Sequence, residues 1–296
     1  MRPEIEQAIA LLRRGDDKAV EQALVLLQNT VFSFSMRVCG QREDAEDTMQ
    51  EVLAKSLPYL AKFESPKALL VWLYKVARSR CLLSRRRSKF APRETLSLDE
   101  LMPDRREREH LAIEGSINPE VFAIRSQEAG QMRKAIQKLA APYRIILVLR
   151  DMEGLTDDEV AEITGLRSGT VRVRLHRARL FVRRELTKAW AAASAGRTRQ
   201  MKVGADHPLR KPGCKAMFAE LSNYLDERLD DSLCDEIEQH LQGCAPCEAF
   251  LATLKATVDQ CRNAPAEFPN GEKAQRLRGE LLENYQRARR AAGLGS

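Results

Sequence analysis

A histidine and several cysteines near the end of the chain have the types and spacing of a zinc site. Cys244 and Cys247 form a C-x-x-C pair, and His240 lies one helical turn before Cys244. Zinc prefers about four thiolate or imidazole ligands in a tetrahedron. Cys214, on an earlier predicted helix, completes the set, and Cys234 is the alternative fourth ligand. The pattern predicts one bound Zn²⁺ that contributes on the order of 10 kcal/mol to folding of this segment.

Three alternative roles of these residues stay open on the sequence alone. The C-x-x-C could be a redox pair, although no βαβ pattern surrounds it. The cysteines could simply be buried, and His240 could lie on the surface. We expect Cys39, Cys81 and Cys261 to be core or incidental residues. The pattern of seven cysteines favours thiols or metal ligands over a disulfide framework.

A helix-turn-helix pattern precedes the zinc segment. Thr156 and Glu159 have the spacing of a capping box, which satisfies backbone N–H groups at a helix start. Gly165 stands where the turn requires a positive φ. The second helix is strongly basic, and its predicted buried stripe contains Val171, Leu175, Ala178 and Val182. The predicted DNA-binding residues of this helix are Ser168, Thr170, Arg172, Arg174 and Arg177.

Two further candidate surfaces lie in the first third of the chain. One helical face between residues 44 and 51 is acidic and suits a basic partner; its residues are Asp44, Asp47, Gln50 and Glu51. A later helix mixes aromatic with cationic side chains, which suits unpaired bases and phosphates. Its candidate DNA-binding residues are Trp72, Tyr74, Lys75, Arg78, Arg86 and Arg87. Aromatic residues in an amphipathic helix are also common in a core, so that alternative stays open.

The elements that carry these residues are all predicted to be helices. Charged residues make up 31% of the chain and aromatic residues 5%, and apolar residues recur at three- and four-residue spacing. The predicted fold class is therefore all-α. The expected divisions are a helical domain (1–90), a linker (91–118), a helix-turn-helix domain (119–191), a linker (192–212), the zinc segment (213–262) and a tail with one helix (263–296).

The net charge of +7 is unevenly distributed. Residues 1–90 and 120–190 each carry +5, whereas residues 205–262 carry −5. A basic body with an acidic appendage indicates an anionic partner and an internal competitor for it. The first ten residues lack the apolar core of a leader peptide, and no apolar run approaches the ~20 residues of a membrane span. We expect a cytoplasmic protein with no membrane partner.

Residues 20–190 resemble the extracytoplasmic-function sigma factors of bacterial RNA polymerase. "DAEDTMQEV" resembles region 2.2, which implies that Asp44, Asp47, Gln50 and Glu51 bind the β′ clamp helices of the polymerase core. "WLYKVARSR" and the following arginines resemble regions 2.3 and 2.4, which open and read the −10 promoter element. The helix-turn-helix segment resembles region 4, which reads the −35 element and contacts the β flap. The resemblance implies two helical sigma domains, region 2 and region 4, joined by a linker.

Residues 221–251 resemble the zinc-binding anti-sigma domain, through "YLDERL", the "HL" pair and the C-x-x-C. That resemblance implies a small helical bundle that contacts the sigma domains of its own chain and blocks polymerase binding. A stripe on the last helix is expected to dock on a sigma domain, with a loosely ordered tail as the alternative; it contains Ala274, Leu277, Leu281 and Tyr285.

Two other function classes remain for comparison. A metal- or redox-responsive helix-turn-helix regulator would share the basic helix and the cysteines but would act without core polymerase. A zinc enzyme would need further catalytic groups, and His110, His176 and His207 are scattered along the sequence. We therefore predict a sigma factor, not an enzyme, with its own zinc-binding regulatory domain.

Overall fold

A computed structural model of the chain describes residues 3–14, 16–86, 96–103, 130–194, 214–265, 268 and 271–291. Arg87 lies outside these residues, as do the side chains of Arg86, Cys214 and Ala274. The described regular elements are all helical, which confirms the predicted all-α class. No described helix combines the length and the apolar character that a membrane span requires.

The described residues form a series of α-helices. In chain order they are α1 (Pro3–Arg14), α2 (Asp17–Cys39), α3 (Arg42–Ser56), α4 (Pro66–Arg86), α5 (Leu98–Leu101), α6 (Gln131–Lys138), α7 (Ala141–Leu147), α8 (Asp157–Thr164), α9 (Ser168–Ser194), α10 (Cys214–Leu225), α11 (Asp231–Leu241), α12 (Ala245–Arg262) and α13 (Gly271–Ala291). A 3₁₀ helix spans Leu57–Lys62, and a π-helical turn spans Val148–Met152.

These helices form two compact units. The first unit contains the described residues of Met1–Pro92, Val148–Val171 and Pro265–Ser296. The second contains those of Arg93–Leu147 and Arg172–Ala264. Segments far apart in sequence therefore fold together within each unit.

The first unit is built around α2, which packs against α1, α3 and α4. Asp16 caps α2 by accepting a hydrogen bond from the backbone N–H of Ala19 at 2.8 Å, and Gly40 ends it with φ 81°. The sequence pattern predicts that α3 continues to about Phe63. It ends at Ser56 instead, because Pro58 cannot supply an N–H to a continuing α-helix. Both α8 and α13 also belong to this unit, where α8 packs against α4 and α13 against α3.

One cysteine prediction is wrong. Cys39 and Cys81 are buried, as expected of core residues, but they form a disulfide. The end of α2 passes close to α4. The Cα atoms of Cys39 and Cys81 are therefore 5.6 Å apart, within the range that a disulfide spans. Helical periodicity places both residues on core-facing positions but does not indicate that they lie opposite each other.

The second unit contains α6, α7, most of α9 and the three helices α10 to α12. Within it α12 packs against α10 and α11, with the rings of Phe218 and Phe250 centred 4.5 Å apart. Leu175, Ala178 and Val182 of α9 are at most 1% exposed, as is Val171 at its first turn. The predicted buried stripe of the basic helix is therefore confirmed.

Candidate metal centre and nucleic-acid interface

Three of the predicted metal ligands come together at the junction of α11 and α12. His240 lies in the last turn of α11, Cys244 is the N-cap residue of α12, and Cys247 lies in its first turn. Their ligand atoms all lie within 4.8 Å of one another, and Nε2 of His240 is 3.2 Å from Sγ of Cys247. Only Gln242 and Gly243 separate the end of α11 from Cys244, so the two helix ends lie close together.

The donor set fits a zinc ion. Two thiols and one imidazole are the ligand types that zinc prefers, and their separations match those of ligands that share one ion. Cys244 makes no side-chain hydrogen bond to the helix that it caps, unlike the Asp and Thr caps elsewhere in the chain. The positive end of the α12 dipole also favours negatively charged ligands beside it. This His-Cys-Cys group is therefore suited to bind a metal.

The two candidates for the fourth ligand differ in position. Cys214 begins α10, which packs against α12, but its side chain lies outside the described residues. Cys234 lies on α11, a turn and a half before His240, and it is not part of the described cluster. Desolvation and then the carboxylates of Glu238 and Asp231 raise the pKa of the Cys234 thiol, which disfavours the thiolate that a metal needs.

The helix-turn-helix has the predicted local geometry. Thr156 and Glu159 form both hydrogen bonds of a capping box at the start of α8, and Gly165 ends α8 with φ 71°. At the start of α9, the hydroxyl of Ser168 donates to Asp158 at 2.6 Å. Along α9, Arg172 is exposed; Thr170, Arg174 and Arg177 are half-buried. The guanidinium of Arg174 lies 5.9 Å from the ring centre of Tyr143.

Two arginines of α9 are buried by residues of α10, α12 and the turn after α10, and nothing in the local sequence separates them from the other basic residues of α9. Arg179 is bound by Asp226, the residue that follows α10, through two contacts of 2.9 and 3.0 Å, and its Nη1 also donates to Oγ of Ser222 at 3.1 Å. Arg183 donates to Oγ1 of Thr253 at 2.7 Å and stacks 3.7 Å from the ring centre of Phe250. The sequence feature that could have indicated a partner for these arginines is the acidic "YLDERL" stretch, which contains Asp226.

A buried histidine lies between these arginines and the exposed ones. Burial, and then the positive charges of Arg179 and Arg177, lower the pKa of His176 to about 4. His176 is 9% exposed, and neither ring nitrogen has a hydrogen-bond partner among the described residues. The imidazole is therefore neutral near pH 7.

The candidate DNA-binding residues of α4 are engaged within the first unit. Tyr74 is fully buried and its hydroxyl donates to Glu153, while Nζ of Lys75 lies 2.8 Å from Oε1 of Glu162. Arg78 reaches the carbonyl of Ile163 at 3.4 Å, and desolvation lowers its pKa. Trp72 is half-buried beside Phe63, with ring centres 5.8 Å apart.

The acidic face of α3 is partly covered by α13. Nε2 of Gln50 donates to Oε2 of Glu280 at 2.6 Å, and Leu277 and Leu281 of α13 are each 3% exposed. Glu51 pairs with Lys55 and Arg80, at 2.8 and 2.5 Å. The remaining two predicted residues of this face are Asp44, which is half-buried, and Asp47, which is exposed.

Three protein-family models match segments of the chain. Residues 25–90 match the family described as "Sigma-70 region 2", and residues 129–182 match "Sigma-70, region 4". The chain therefore carries segments similar to region 2 and region 4 of sigma-70 factors, in that order. Residues 214–247 of this sigma factor match a third family, described as "Putative zinc-finger". This match and the His-Cys-Cys group agree on the same segment.

Similar proteins from several bacteria are RNA polymerase sigma factors. The RNA polymerase sigma-H factor of Pseudomonas aeruginosa is 28% identical over 177 residues, which cover 59% of this chain and 89% of the relative. The extracytoplasmic-function (ECF) sigma factor SigW of Bacillus subtilis is 24% identical over 182 residues, covering 62% and 96%. The ECF sigma-E factor of Escherichia coli is 28% identical over 172 residues, covering 57% and 86%.

These matches support the sigma-factor prediction over a regulator that acts without polymerase. Sigma factors are non-enzymatic transcription initiation factors. A solved structure of the sigma factor RpoE with the anti-sigma factor NepR, from Bartonella quintana, is 22% identical and covers 57% of this chain and 98% of its own, with a TM-score of 0.41.

Proposed function

We propose that this sigma factor directs core RNA polymerase to promoters in the cytoplasm and is held inactive by its own C-terminal segment, residues 213–296. In this proposal α3 binds the β′ clamp helices through Asp44, Asp47, Gln50 and Glu51. The aromatic and basic face of α4 binds the −10 element, and α9 binds the −35 element while region 4 contacts the β flap. The protein acts by binding, without catalysing a reaction.

The packing of α13 on α3 carries this proposal. Leu277 and Leu281 are buried although they lie on a helix whose other residues are mostly exposed, so α13 contributes an apolar stripe to the first unit. The hydrogen bond from Gln50 to Glu280 uses a residue of the proposed clamp-binding face. A polymerase clamp and α13 therefore compete for the same helix.

The burial of Arg179 and Arg183 supports the same proposal in the second unit. Region 4 binds promoter phosphates with basic side chains, and the C-terminal segment withdraws two of them into its own interface. The segment is also acidic, with a net charge of −5 over residues 205–262. Attraction to a basic partner is expected and weakens with salt.

The proposed role of the metal is to hold the inhibitory helices together. His240, Cys244 and Cys247 would bind one Zn²⁺ with Cys214 as the fourth ligand. Bound zinc would cross-link α10, α11 and α12 and add its binding free energy to the stability of this small segment. Asp226 and Phe250 would then be positioned to bind the arginines of α9.

Transcription from a target promoter by reconstituted polymerase tests the proposal. The variants are Leu281→Lys, which places a charge in the buried stripe of α13, and Asn284→Lys, which adds the same charge at an exposed position of the same helix. We expect Leu281→Lys to raise transcription several-fold above wild type and Asn284→Lys to leave it unchanged.

Two results would contradict the proposal. If no variant directs core polymerase to a promoter while the free protein binds specific duplex DNA, the chain acts without polymerase. If wild type and Leu281→Lys are equally active in transcription, α13 does not inhibit.

A further inference from the structure

We propose that burial of the Glu153 side chain docks the helix-turn-helix of region 4 directly onto region 2 and keeps both promoter-binding elements away from DNA. We call this buried contact of Glu153 the latch. This inference rests on the proposed inhibition in cis and assigns it a specific contact. The docking surface is the face of α4 that carries Tyr74, Lys75 and Arg78, and its occupant is the segment 153–164 of the same chain.

The local backbone presents Glu153 to this surface. The helix preceding it widens into the π-helical turn Val148–Met152, and the backbone N–H of Glu153 donates to the carbonyl of Val148 at 2.9 Å. Gly154 then reverses the chain with φ 73°, a conformation that other residues rarely adopt. Single π turns inside α-helices occur often at functional sites.

Two side chains of region 2 bind the carboxylate of Glu153. Nη1 of Arg37 on α2 donates to Oε1 at 2.8 Å, and the hydroxyl of Tyr74 on α4 donates to Oε2. The side chains of Arg37 and Glu153 are 5% and 0% exposed. A charge buried this deeply is costly unless it is paired, so the three side chains stabilise the docked state only while they remain together.

Two ion pairs nearer the surface also connect α4 with α8. Lys67 and Lys75 of α4 pair with Glu159 and Glu162 of α8, at 3.3 and 2.8 Å. The side chains of Lys67, Lys75 and Glu162 are each more than 40% exposed, and that of Glu159 is 16% exposed. These surface pairs therefore contribute little by themselves. They align a basic helix with an acidic one, whereas the buried group holds the two in place.

The C-terminal segment shares this latch. Nη2 of Arg37 donates to the backbone carbonyl of Pro265 at 3.1 Å, and Pro265 lies in the stretch that joins α12 to α13. One buried guanidinium of region 2 thus contacts both region 4 and the C-terminal segment. Displacing Pro265 removes an acceptor from Arg37 and weakens the docked state, which couples movement of the inhibitory segment to release of region 4.

The experiment measures two quantities on the full chain: hydrogen–deuterium exchange of the α4 and α8 amides, and affinity for core polymerase. Glu153→Gln keeps an acceptor for Tyr74 but removes the charge that pairs with Arg37. Lys67→Gln is the matched control, because it removes an exposed ion pair at the same surface. We expect Glu153→Gln to increase both exchange and core affinity about tenfold, and Lys67→Gln to change neither by more than about twofold.

A second variant keeps the test decisive if Glu153→Gln does not fold. Tyr74→Phe retains the packing against Phe34, whose ring centre lies 4.6 Å away, and removes only the hydroxyl that binds Glu153. We expect it to increase exchange in α4 and α8 several-fold. Circular dichroism establishes which variants are folded.

The latch is refuted if Glu153→Gln and Tyr74→Phe behave like Lys67→Gln, or if exchange rises while core affinity stays at the wild-type value. Failure of the broader proposal has a different signature, because Leu281→Lys would then leave core affinity unchanged whatever happens at Glu153.

Discussion

Arg179 of region 4 and Asp226 of the C-terminal segment form a buried, two-contact ion pair. Nη1 of the arginine lies 2.9 Å from Oδ2 and Nη2 lies 3.0 Å from Oδ1, and the side chains are 0% and 2% exposed. Arg262 reaches the same carboxylate at 3.4 Å, but its side chain is 45% exposed. One aspartate therefore binds a buried and an exposed arginine, which allows the two environments to be compared directly.

Replacement of Asp226 by alanine should strongly destabilise the second unit. The change leaves Arg179 as a buried charge without its carboxylate, and the free energy of unfolding should fall by about 3–5 kcal/mol. Arg262→Ala removes the exposed partner and should cost less than about 1 kcal/mol. Urea unfolding followed by circular dichroism measures both. Equal losses for the two variants would show that burial of Arg179 does not stabilise the interface.

Substitution of single cysteines should separate metal ligands from bystanders. We expect wild type to contain one zinc ion per chain and Cys247→Ser to lose it, because Cys247 is buried at the His-Cys-Cys group. Cys214→Ser should also lose the metal, whereas Cys234→Ser should retain it. Atomic emission measurements on purified, reduced protein give the zinc content. Retention of zinc by Cys214→Ser with loss from Cys234→Ser would reverse the assignment of the fourth ligand.

Removal of the metal should loosen the inhibitory bundle. A strong chelator should increase amide exchange in α11 and α12, because the ion joins the end of one helix to the start of the next. The exchange of α2, in the first unit, serves as the internal reference. Equal exchange in α11 and α12 with and without metal would show that the site does not support the fold.

Acid should destabilise the protein through His176. Its pKa is about 4 in the folded state and 6.5 without burial, so the unfolded chain binds the proton first as the pH falls. Stability is fully present above pH 6.5 and is lost towards pH 4, by about 3 kcal/mol for this group. Urea unfolding at several pH values should show that loss in wild type relative to His176→Phe. Parallel pH profiles for the two proteins would contradict it.

Much of the fold could be predicted because local signals were strong. The capping box of Thr156 and Glu159, the turn at Gly165 and the buried stripe ending at Val182 all follow from short-range spacing. The His-Cys-Cys group follows from ligand spacing across one helix junction. These features depend on residues within a few turns of each other.

Long-range partners could not be predicted in the same way. Periodicity shows that Arg179 and Arg183 flank a buried stripe, but not that a distant acidic segment covers them. It places Tyr74 in an amphipathic helix without indicating a carboxylate from a residue 79 positions later. The Cys39–Cys81 disulfide depends on where two helices cross. Each of these contacts depends on tertiary packing between distant segments, and the local sequence of neither segment indicates its partner.

The affinity of core polymerase for the full-length chain tests the central claim most directly. Equilibrium binding should be measured for wild type, Leu281→Lys and the exposed control Asn284→Lys. If α13 occupies the clamp-binding face of α3, Leu281→Lys should bind core at least about tenfold more tightly than wild type, a difference of about 1.4 kcal/mol, and Asn284→Lys should match wild type. Equal affinities for all three proteins would contradict inhibition by the C-terminal segment.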